Sequence, residues 1–212
     1  PCSKKRAVTI SYNMLDQHDI LERGLSDQVK VTFERLKMEF GIFAASHKDY
    51  ISGLEGKDGF ENEQDWKISA AYYNDVHKKV LDMEMKMKLV EVREKFEKDF
   101  GIYKIARSKC QNVMSKFSGE TKEDLAENKA ACIYLESLEE RCQTLESKYD
   151  RLWESVSEVT KVCRSLKRNV KLETEAIEFD ACLEDVTEAQ DSLLLLREAV
   201  RAETEEKEQV RE

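Results

Sequence analysis

A heptad pattern between Ala131 and Val170 constrains the fold of this chain more than any other feature of its sequence. Apolar residues recur there in alternating steps of four and three, and no Gly or Pro interrupts them. The pattern comprises Ala131, Leu135, Leu138, Cys142, Leu145, Tyr149, Leu152, Val156, Val159, Cys163, Leu166 and Val170. Because these residues would form one continuous apolar seam, they predict a long helix that other helices must cover.

The composition agrees with an all-α chain. Of 212 residues, 37% are charged and 41% hydrophobic, whereas only seven are Gly and one is Pro, a balance that suits long helices. The net charge of −9 disfavours nucleic acid as a partner of this segment, because phosphates would repel the protein. The only compact basic cluster is Lys4-Lys5-Arg6.

Membrane insertion and secretion are not expected. The longest apolar run, Leu193 to Leu196, is far shorter than the roughly 18 residues that a spanning helix needs, and no secretory signal opens the sequence. The six cysteines show no CxxC pair, so we expect reduced core thiols in a cytoplasmic protein and no metal site. The chain begins at Pro1 without Met, which suggests a processed protein or a fragment of a longer one.

Further apolar stripes predict the remaining helices. A first helix, from about Ser3 to Arg23, is predicted to end at Gly24, and Ser26 is expected to cap the second. A third helix of about 55 residues is predicted over 63–117, with a shift of phase at residues 88–95. The stripes are Ala7, Ile10, Met14 and Leu21; Val29, Phe33, Leu36, Phe40, Phe43, His47, Tyr50 and Leu54; and Trp66, Tyr73, Val76, Val80, Met83, Met87 and Val90, resuming as Phe96, Phe100, Tyr103, Cys110, Met114 and Phe117.

The last part of the chain has its own start and stop signals. Ser118-Gly119 is predicted to end the third helix, and Thr121 with Asp124 to form a capping box that opens the next. The phase breaks again at residues 171–175, where a turn is favoured over a stutter. A final stripe is predicted at Phe179, Cys182, Val186, Ala189, Leu193, Leu196 and Val200.

The two halves of the chain share this arrangement, which indicates an internal repeat. The stripe from Val29 to Leu54 coincides with that from Ala131 to Val156 after a shift of 102 residues, and the following stripes match after a shift of 106. Shifting Ala7 and Met14 by 103 gives Cys110 and Phe117. We therefore predict an elongated all-α fold of two tandem antiparallel three-helix bundles with coiled-coil-like packing that share a long central helix. The predicted units are residues 1–95 and 96–205, followed by a frayed acidic tail at 206–212.

The sequence resembles two protein families. The spacing of the repeat and the shared helix resemble spectrin-type repeats, although Trp66 and Trp153 do not stand where that family's first-helix Trp is expected. Over about residues 4–90 the chain is similar to the N-terminal helical region of Gag polyproteins of BEL/Pao-type retroelements. That similarity rests on Lys4-Lys5-Arg6-Ala7, on Phe33, Leu36, Phe40, His47 and Tyr50, on Glu61-Asn-Glu-Gln-Asp-Trp66, and on Ala71-Tyr72-Tyr73 with Val76 and Val80. The retroelement zinc knuckle, aspartic protease motif and capsid domain are absent from the sequence.

No residue pattern indicates catalysis. His47 lies on a seam, His18 near the end of the first helix, and His77 is expected to face water. None of the three has Glu three residues before it, as a di-iron bundle would need, and no hydrolase or metalloprotease motif is present. We therefore expect no catalytic, cofactor-binding or metal-binding residues, no cofactor, and no small-molecule substrate.

Two functions stay open at this point. One is a non-enzymatic structural or interaction module that supports protein assembly or self-association, for example in a Gag-like polyprotein. The other is a spectrin-like spacer in a cytoskeletal or adaptor protein. The heptad is compatible with partners from the same chain or from another chain, so the oligomeric state and the identity of the partner are open as well. The counterpart seam in the first half favours cover by the chain itself.

Overall fold

Every regular element of the described chain is an α-helix. The computed structural model describes the backbone of residues 2–18, 20–54, 60–166 and 173–209. The helices are α1 (Cys2–Asp16), α2 (Ile20–Arg23), α3 (Asp27–Leu54), α4 (Phe60–Met114), α5 (Lys122–Glu127), α6 (Ala131–Ser165) and α7 (Glu173–Gln209). The predicted all-α class is therefore confirmed.

The predicted signals around α3 are present. Gly24 has a φ of 74°, a left-handed conformation that costs Gly little, and it follows α2 directly. The backbone N–H of Val29 donates to Ser26 Oγ at 3.3 Å, so Ser26 caps the helix that begins at Asp27. Gly41, inside α3, does not interrupt the helix.

The predicted capping box at Thr121 is also confirmed. The Asp124 N–H donates to Thr121 Oγ1 at 3.2 Å, and the Thr121 N–H donates to an Asp124 carboxylate oxygen at 2.9 Å. The hydrogen bonds that the Thr121 N–H and hydroxyl donate to the Asp124 carboxylate lower its pKa, so the cap weakens only as the pH falls through that lowered value. The helix that it opens is short, because α5 ends at Glu127 and Asn128 is its C-cap. Sequence reasoning missed this break before α6.

The described chain forms two compact units. One contains residues 1–93 and 161–168, and the other contains residues 94–160 and 169–212. The core of the first unit consists of Val8, Leu15, Ile20, Val29, Phe33, Leu36, Phe43, Val76, Val80, Met83, Met87 and Val90. The core of the second consists of Tyr103, Ala106, Cys110, Val113, Phe117, Leu125, Ala131, Leu138, Cys142, Leu145, Leu152, Cys182, Val186, Ala189, Leu193, Leu196 and Ala199. Each core thus draws on four helices, one of them short.

The seam of α6 is covered within the single chain. Its fully buried members in the second core are Ala131, Leu138, Cys142, Leu145 and Leu152. Leu135, Tyr149 and Val156 are partly buried against them. These side chains pack with α4 and α7, so the chain itself supplies the cover that the heptad needs. Val170 lies outside the described residues.

The first helix differs from its prediction in length and in buried face. It ends at Asp16, and α2 is a separate helix. Its buried residues are Val8, Ser11 and Leu15, whereas the predicted Ile10 and Met14 are exposed. The cause is Ser11, whose hydroxyl donates to Glu39 Oε2 at 2.6 Å and accepts from Arg35 Nε at 3.2 Å. Because a polar residue, Ser11, occupies a core position, the apolar pattern of the sequence did not identify the buried face of α1.

Other differences lie near the ends of α4 and α7. Trp66, predicted on the stripe of α4, is 50% exposed. α7 extends to Gln209, beyond Val200, where the predicted stripe ends. The predicted loop includes residues 55–59 and the predicted turn includes residues 171 and 172, and these positions lie outside the described residues.

Two glycines offer a matched test of the helix assignment. Gly101 lies inside α4 with open space around an added Cβ, whereas Gly119 has a φ of 87° in the turn after α4. We expect Gly101→Ala to raise the free energy of unfolding by about 0.5–1 kcal/mol, because Ala loses less backbone entropy in a helix. Gly119→Ala should lower it by about 1 kcal/mol, because the left-handed conformation strains Ala. Urea denaturation followed by circular dichroism measures both changes, and equal effects would contradict the assignment.

Candidate functional site

The three histidines occupy structural positions. His47 Nε2 lies 3.0 Å from the backbone oxygen of Ser69, which links α3 to α4. His77 was expected to face water, and this prediction is wrong: its ring is partly buried and stacks on Phe40 at a centroid distance of 5.4 Å. His18 is exposed just after α1.

His47 and His77 belong to an aromatic cluster between α3 and α4. The Tyr73 ring lies 4.7 Å from His47, 6.0 Å from Phe40 and 6.1 Å from Phe43, measured between centroids. Stacked and tilted aromatic pairs at such distances stabilise packing beyond the area they bury. The cluster therefore holds α3 and α4 together towards the end of α3 and the start of α4.

An open cleft of about 380 Å³ lies beside this cluster, and we call it the aromatic cleft. Tyr50, Ile68 and Tyr72 line it and are 39%, 62% and 46% exposed. All of its lining residues belong to α3 or α4: Phe43, Ser46, His47, Tyr50, Asp65, Ile68, Ser69 and Tyr72. A second cavity shares His47 and is also lined by the half-exposed Trp66. Aromatic and aliphatic side chains thus line a concave site together with the polar residues Ser46, His47, Asp65 and Ser69, and such a mixture is common in binding sites of proteins.

Two lysines of α1 border the aromatic cleft. Lys5 Nζ lies 2.9 Å from the centroid of the Tyr72 ring, a cation–π contact. Lys4 Nζ donates to Ser46 Oγ at 2.5 Å. These contacts bring the N-terminal end of α1, with two positive charges, to the edge of the cleft.

Exposed apolar side chains are distributed unequally between the two units. Among the described residues, ten large apolar side chains of the first unit are exposed but only five of the second. Those of the first unit are Ile10, Met14, Val31, Met38, Ile42, Tyr50, Trp66, Ile68, Tyr72 and Leu81, and those of the second are Ile105, Ile133, Trp153, Leu183 and Leu194. The first unit therefore exposes more large apolar side chains than the second, and three of them, Tyr50, Ile68 and Tyr72, lie together at the aromatic cleft.

Buried polar groups of the second unit connect its helices. The hydroxyl of Tyr103 on α4 donates to the backbone oxygen of Cys182 on α7 at 2.8 Å, and burial raises the pKa of Tyr103 well above its ordinary value. Ser155 Oγ donates to Asp99 Oδ2 at 2.5 Å. Arg151 Nε lies 2.7 Å from Asp99 Oδ1 as an ion pair without a well-aligned hydrogen bond. Each of these groups thus contacts an atom of a neighbouring helix.

Most of the described cysteine side chains are buried. Cys110, Cys142, Cys163 and Cys182 are buried, whereas Cys132 is exposed. A hydrogen bond with Cys110, together with burial, raises the pKa of Cys142, whose Sγ also lies 3.5 Å from the backbone oxygen of Ala189. The buried thiols therefore act as small core side chains.

The described residues contain neither a metal-binding group nor a membrane-spanning helix. Among the described residues, no three His, Cys, Asp or Glu side chains are grouped so that they could hold a metal ion. No described helix is long and apolar enough to cross a bilayer. Comparisons with protein-family models, curated proteins and solved structures each found no match. The resemblances to Gag polyproteins and to spectrin-type repeats stay predictions.

The aromatic cleft was not predicted from the sequence. Phe43, His47 and Tyr50 were assigned to a buried seam, but only Phe43 is fully buried. The sequence did contain one sign of the cleft. Ile68 and Tyr72 are large apolar residues one helical turn apart, and both lie outside the predicted stripe of α4.

Thiol reactivity provides a test of the burial assignments. We expect Cys132→Ser to remove about one equivalent of the thiol that reacts fast with Ellman's reagent in the native protein, because Cys132 is exposed. Cys110→Ser, at a buried position, should leave the fast amplitude unchanged. The opposite result for the two variants would contradict the orientation of α6.

Proposed function

We propose that this chain is a non-enzymatic helical interaction module that supports protein assembly through the aromatic cleft of its first unit. The observation that carries the proposal is the exposure of Tyr50, Ile68 and Tyr72 around a concave site. Covering such a site releases about 25 cal/mol for each Å² of apolar surface removed from water. A further copy of the chain could cover it with the same cleft in a two-fold contact, and a helix of a partner protein could do so as well.

A structural role for the polar groups supports the non-enzymatic assignment. His47 Nε2 lies within hydrogen-bond distance of a backbone oxygen, so that nitrogen carries the proton as a donor and is not a free base. Asp99, the buried carboxylate of the second unit, contacts Ser155 and Arg151. These groups join helices to one another.

The proposal includes a tandem duplication of the module. Three features support it. Buried residues of α1 and α3 have buried counterparts 102 residues later in the second unit, and the buried residues of α4 in the first unit have theirs 106 residues later in α7. A short helix also begins at Ile20 in the first half and, 102 residues later, at Lys122 in the second. The pairs of buried residues are Val8 and Cys110, Ser11 and Val113, Leu15 and Phe117, Val29 and Ala131, Leu36 and Leu138, Phe43 and Leu145, Val76 and Cys182, Val80 and Val186, Met83 and Ala189, Met87 and Leu193, and Val90 and Leu196. For α1, the buried residues give a shift of 102 residues, whereas the stripe predicted from the sequence gave 103.

Proteins are the proposed partners, in the cytoplasm. The net charge of −9 disfavours nucleic acid, and the free thiols of Cys110, Cys132 and Cys142 suit a reducing compartment. A Gag-like polyprotein is one setting for such an assembly module. The alternative function is a spectrin-like spacer, which the uninterrupted 55-residue helix α4 favours.

Light scattering at several protein concentrations tests association through the cleft. We expect the mass of the native protein to rise above the monomer value of 24.7 kDa with concentration, and the double variant Ile68→Glu/Tyr72→Glu to stay monomeric because it places charge in the contact. Ile133→Glu, at an exposed apolar position of the second unit, is the control and should associate as the native protein does. A native protein that is monomeric at every concentration would favour the spacer instead.

A further inference from the structure

An open cavity lies in the second unit between the C-terminal end of α4 and the middle of α7, and we call it the α4–α7 cavity. Its volume is about 450 Å³, within the range of roughly 300–1,000 Å³ that is typical of ligand sites in proteins. Phe117, which is buried, and the partly buried Met114 and Leu195 give the cavity apolar walls. None of these residues belongs to the aromatic cleft, so the cavity is a separate candidate site.

The charged side chains that line the α4–α7 cavity are acidic. They are Glu120 and Glu188, and no Lys or Arg of the described chain joins them. Glu188 is exposed and pairs with no other described residue, whereas Asp185, one turn earlier on α7, forms an ion pair with Arg107 at 2.8 Å. Glu120 Oε2 accepts from Asn128 Nδ2 at 3.2 Å, and a carboxylate can accept further hydrogen bonds. Both carboxylates can therefore receive donors from a ligand.

The surrounding helices add negative potential to the cavity. The 55-residue helix α4 ends at Met114 with no basic residue in its last turn, so the negative end of its dipole is not compensated there. Between Glu173 and Leu196, α7 has eight Asp or Glu residues and no Lys or Arg. A cation in the cavity is attracted by both helices, and an anion is repelled.

We propose that the α4–α7 cavity binds an alkylammonium group, that is, a protonated amine on an aliphatic chain. Its N–H groups would donate charge-assisted hydrogen bonds to Glu120 and Glu188. Its methylene groups would pack against Met114, Phe117 and Leu195, as the stem of a lysine packs on apolar surface. Aliphatic amines resemble Lys, whose pKa is about 10.4, so they are charged at neutral pH. A lysine side chain of a partner protein and a free polyamine both carry this group.

The lining of the cavity favours an organic cation over a divalent metal ion. Across the described ranges of the chain, no three His, Cys, Asp or Glu side chains are grouped so that they could hold a metal. A calcium ion takes roughly six to eight oxygen ligands, and a hydrated ion gains nothing from apolar walls. An alkylammonium group uses the carboxylates and the apolar walls together.

An adjoining cavity on α7 separates the two sources of the amine. It shares Glu188 and Ser192 with the α4–α7 cavity, and Glu184 and Asp191 line it as well. A polyamine has several ammonium groups along one chain and can contact both cavities at once. A lysine side chain has one ammonium group and fills only the α4–α7 cavity.

Methionine methyl groups provide a local probe of binding. The chain has six methionines, and Met114, which lines the cavity, is the only one in the second unit. We would label the methionine methyl groups of the full chain with ¹³C and titrate n-butylammonium at low ionic strength. The Met114 resonance should shift saturably while the other five stay unchanged. Met114→Leu identifies this resonance by its loss.

Paired variants and ligands test the charge and the apolar walls. Glu188→Gln should weaken binding at least about five-fold, because it removes a charge-assisted hydrogen bond. Glu140→Gln, at an exposed position of α6, makes the same change in net charge and should bind as the native protein does. Methylammonium should bind at least about five-fold more weakly than n-butylammonium, because it buries less apolar surface. Circular dichroism of each variant confirms that its helices are intact.

Three results would overturn the alkylammonium site: a Met114 resonance that responds to no amine, equal weakening by Glu188→Gln and Glu140→Gln, or a response to calcium chloride without one to n-butylammonium. Ile68→Glu/Tyr72→Glu, which tests the aromatic cleft, should leave amine binding unchanged.

Spermidine and Nα-acetyl-lysine methylamide then identify the source of the amine. Spermidine that binds at least about ten-fold more tightly than the lysine derivative, with this advantage lost in Asp191→Asn and kept in Glu140→Gln, supports a polyamine ligand. Equal binding of the two compounds supports a lysine side chain of a partner protein.

Discussion

An apolar seam on a helix is stable in water only when other helices cover it, and this requirement organises the whole chain. α6 carries the most regular seam, and α4 and α7 cover it with side chains such as Cys110 and Leu196. α3 is covered in the same way by α1 and by the first part of α4. Each core is an assembly of long stripes, and the hydrophobic effect is its main source of stability.

The same requirement explains why the first unit has a candidate binding site. Where three helices meet, the apolar side chains are buried, as for Leu36 and Met83. At the aromatic cleft between α3 and α4, Tyr50 and Tyr72 stay partly in water, although Lys5 of α1 lies over the Tyr72 ring. An interaction site here needs no special chemistry, since partly exposed aromatic and aliphatic side chains already line it.

The sequence predicts helix type and buried seams well wherever the stripe is apolar throughout. The cap at Thr121, the left-handed Gly24 and Gly119, and the burial of Leu138 and Leu145 all follow from local patterns. Prediction failed for α1, because Ser11 occupies a core position through hydrogen bonds to residues of another helix. It also failed for the cleft, because burial at Tyr50 depends on how the neighbouring helices pack around it, and the seam pattern of one helix does not report that packing.

The hydrogen bond from Tyr103 to Cys182 has a consequence for how α4 and α7 are aligned. A heptad seam is periodic, so one helix can slide past another by seven residues and still bury apolar side chains against apolar side chains. Such a slip would break the hydrogen bond from the Tyr103 hydroxyl to the Cys182 backbone oxygen. The same shift of α4 along α6 would break the hydrogen bond from Ser155 to Asp99. In an otherwise repetitive core, these polar contacts select a single axial register.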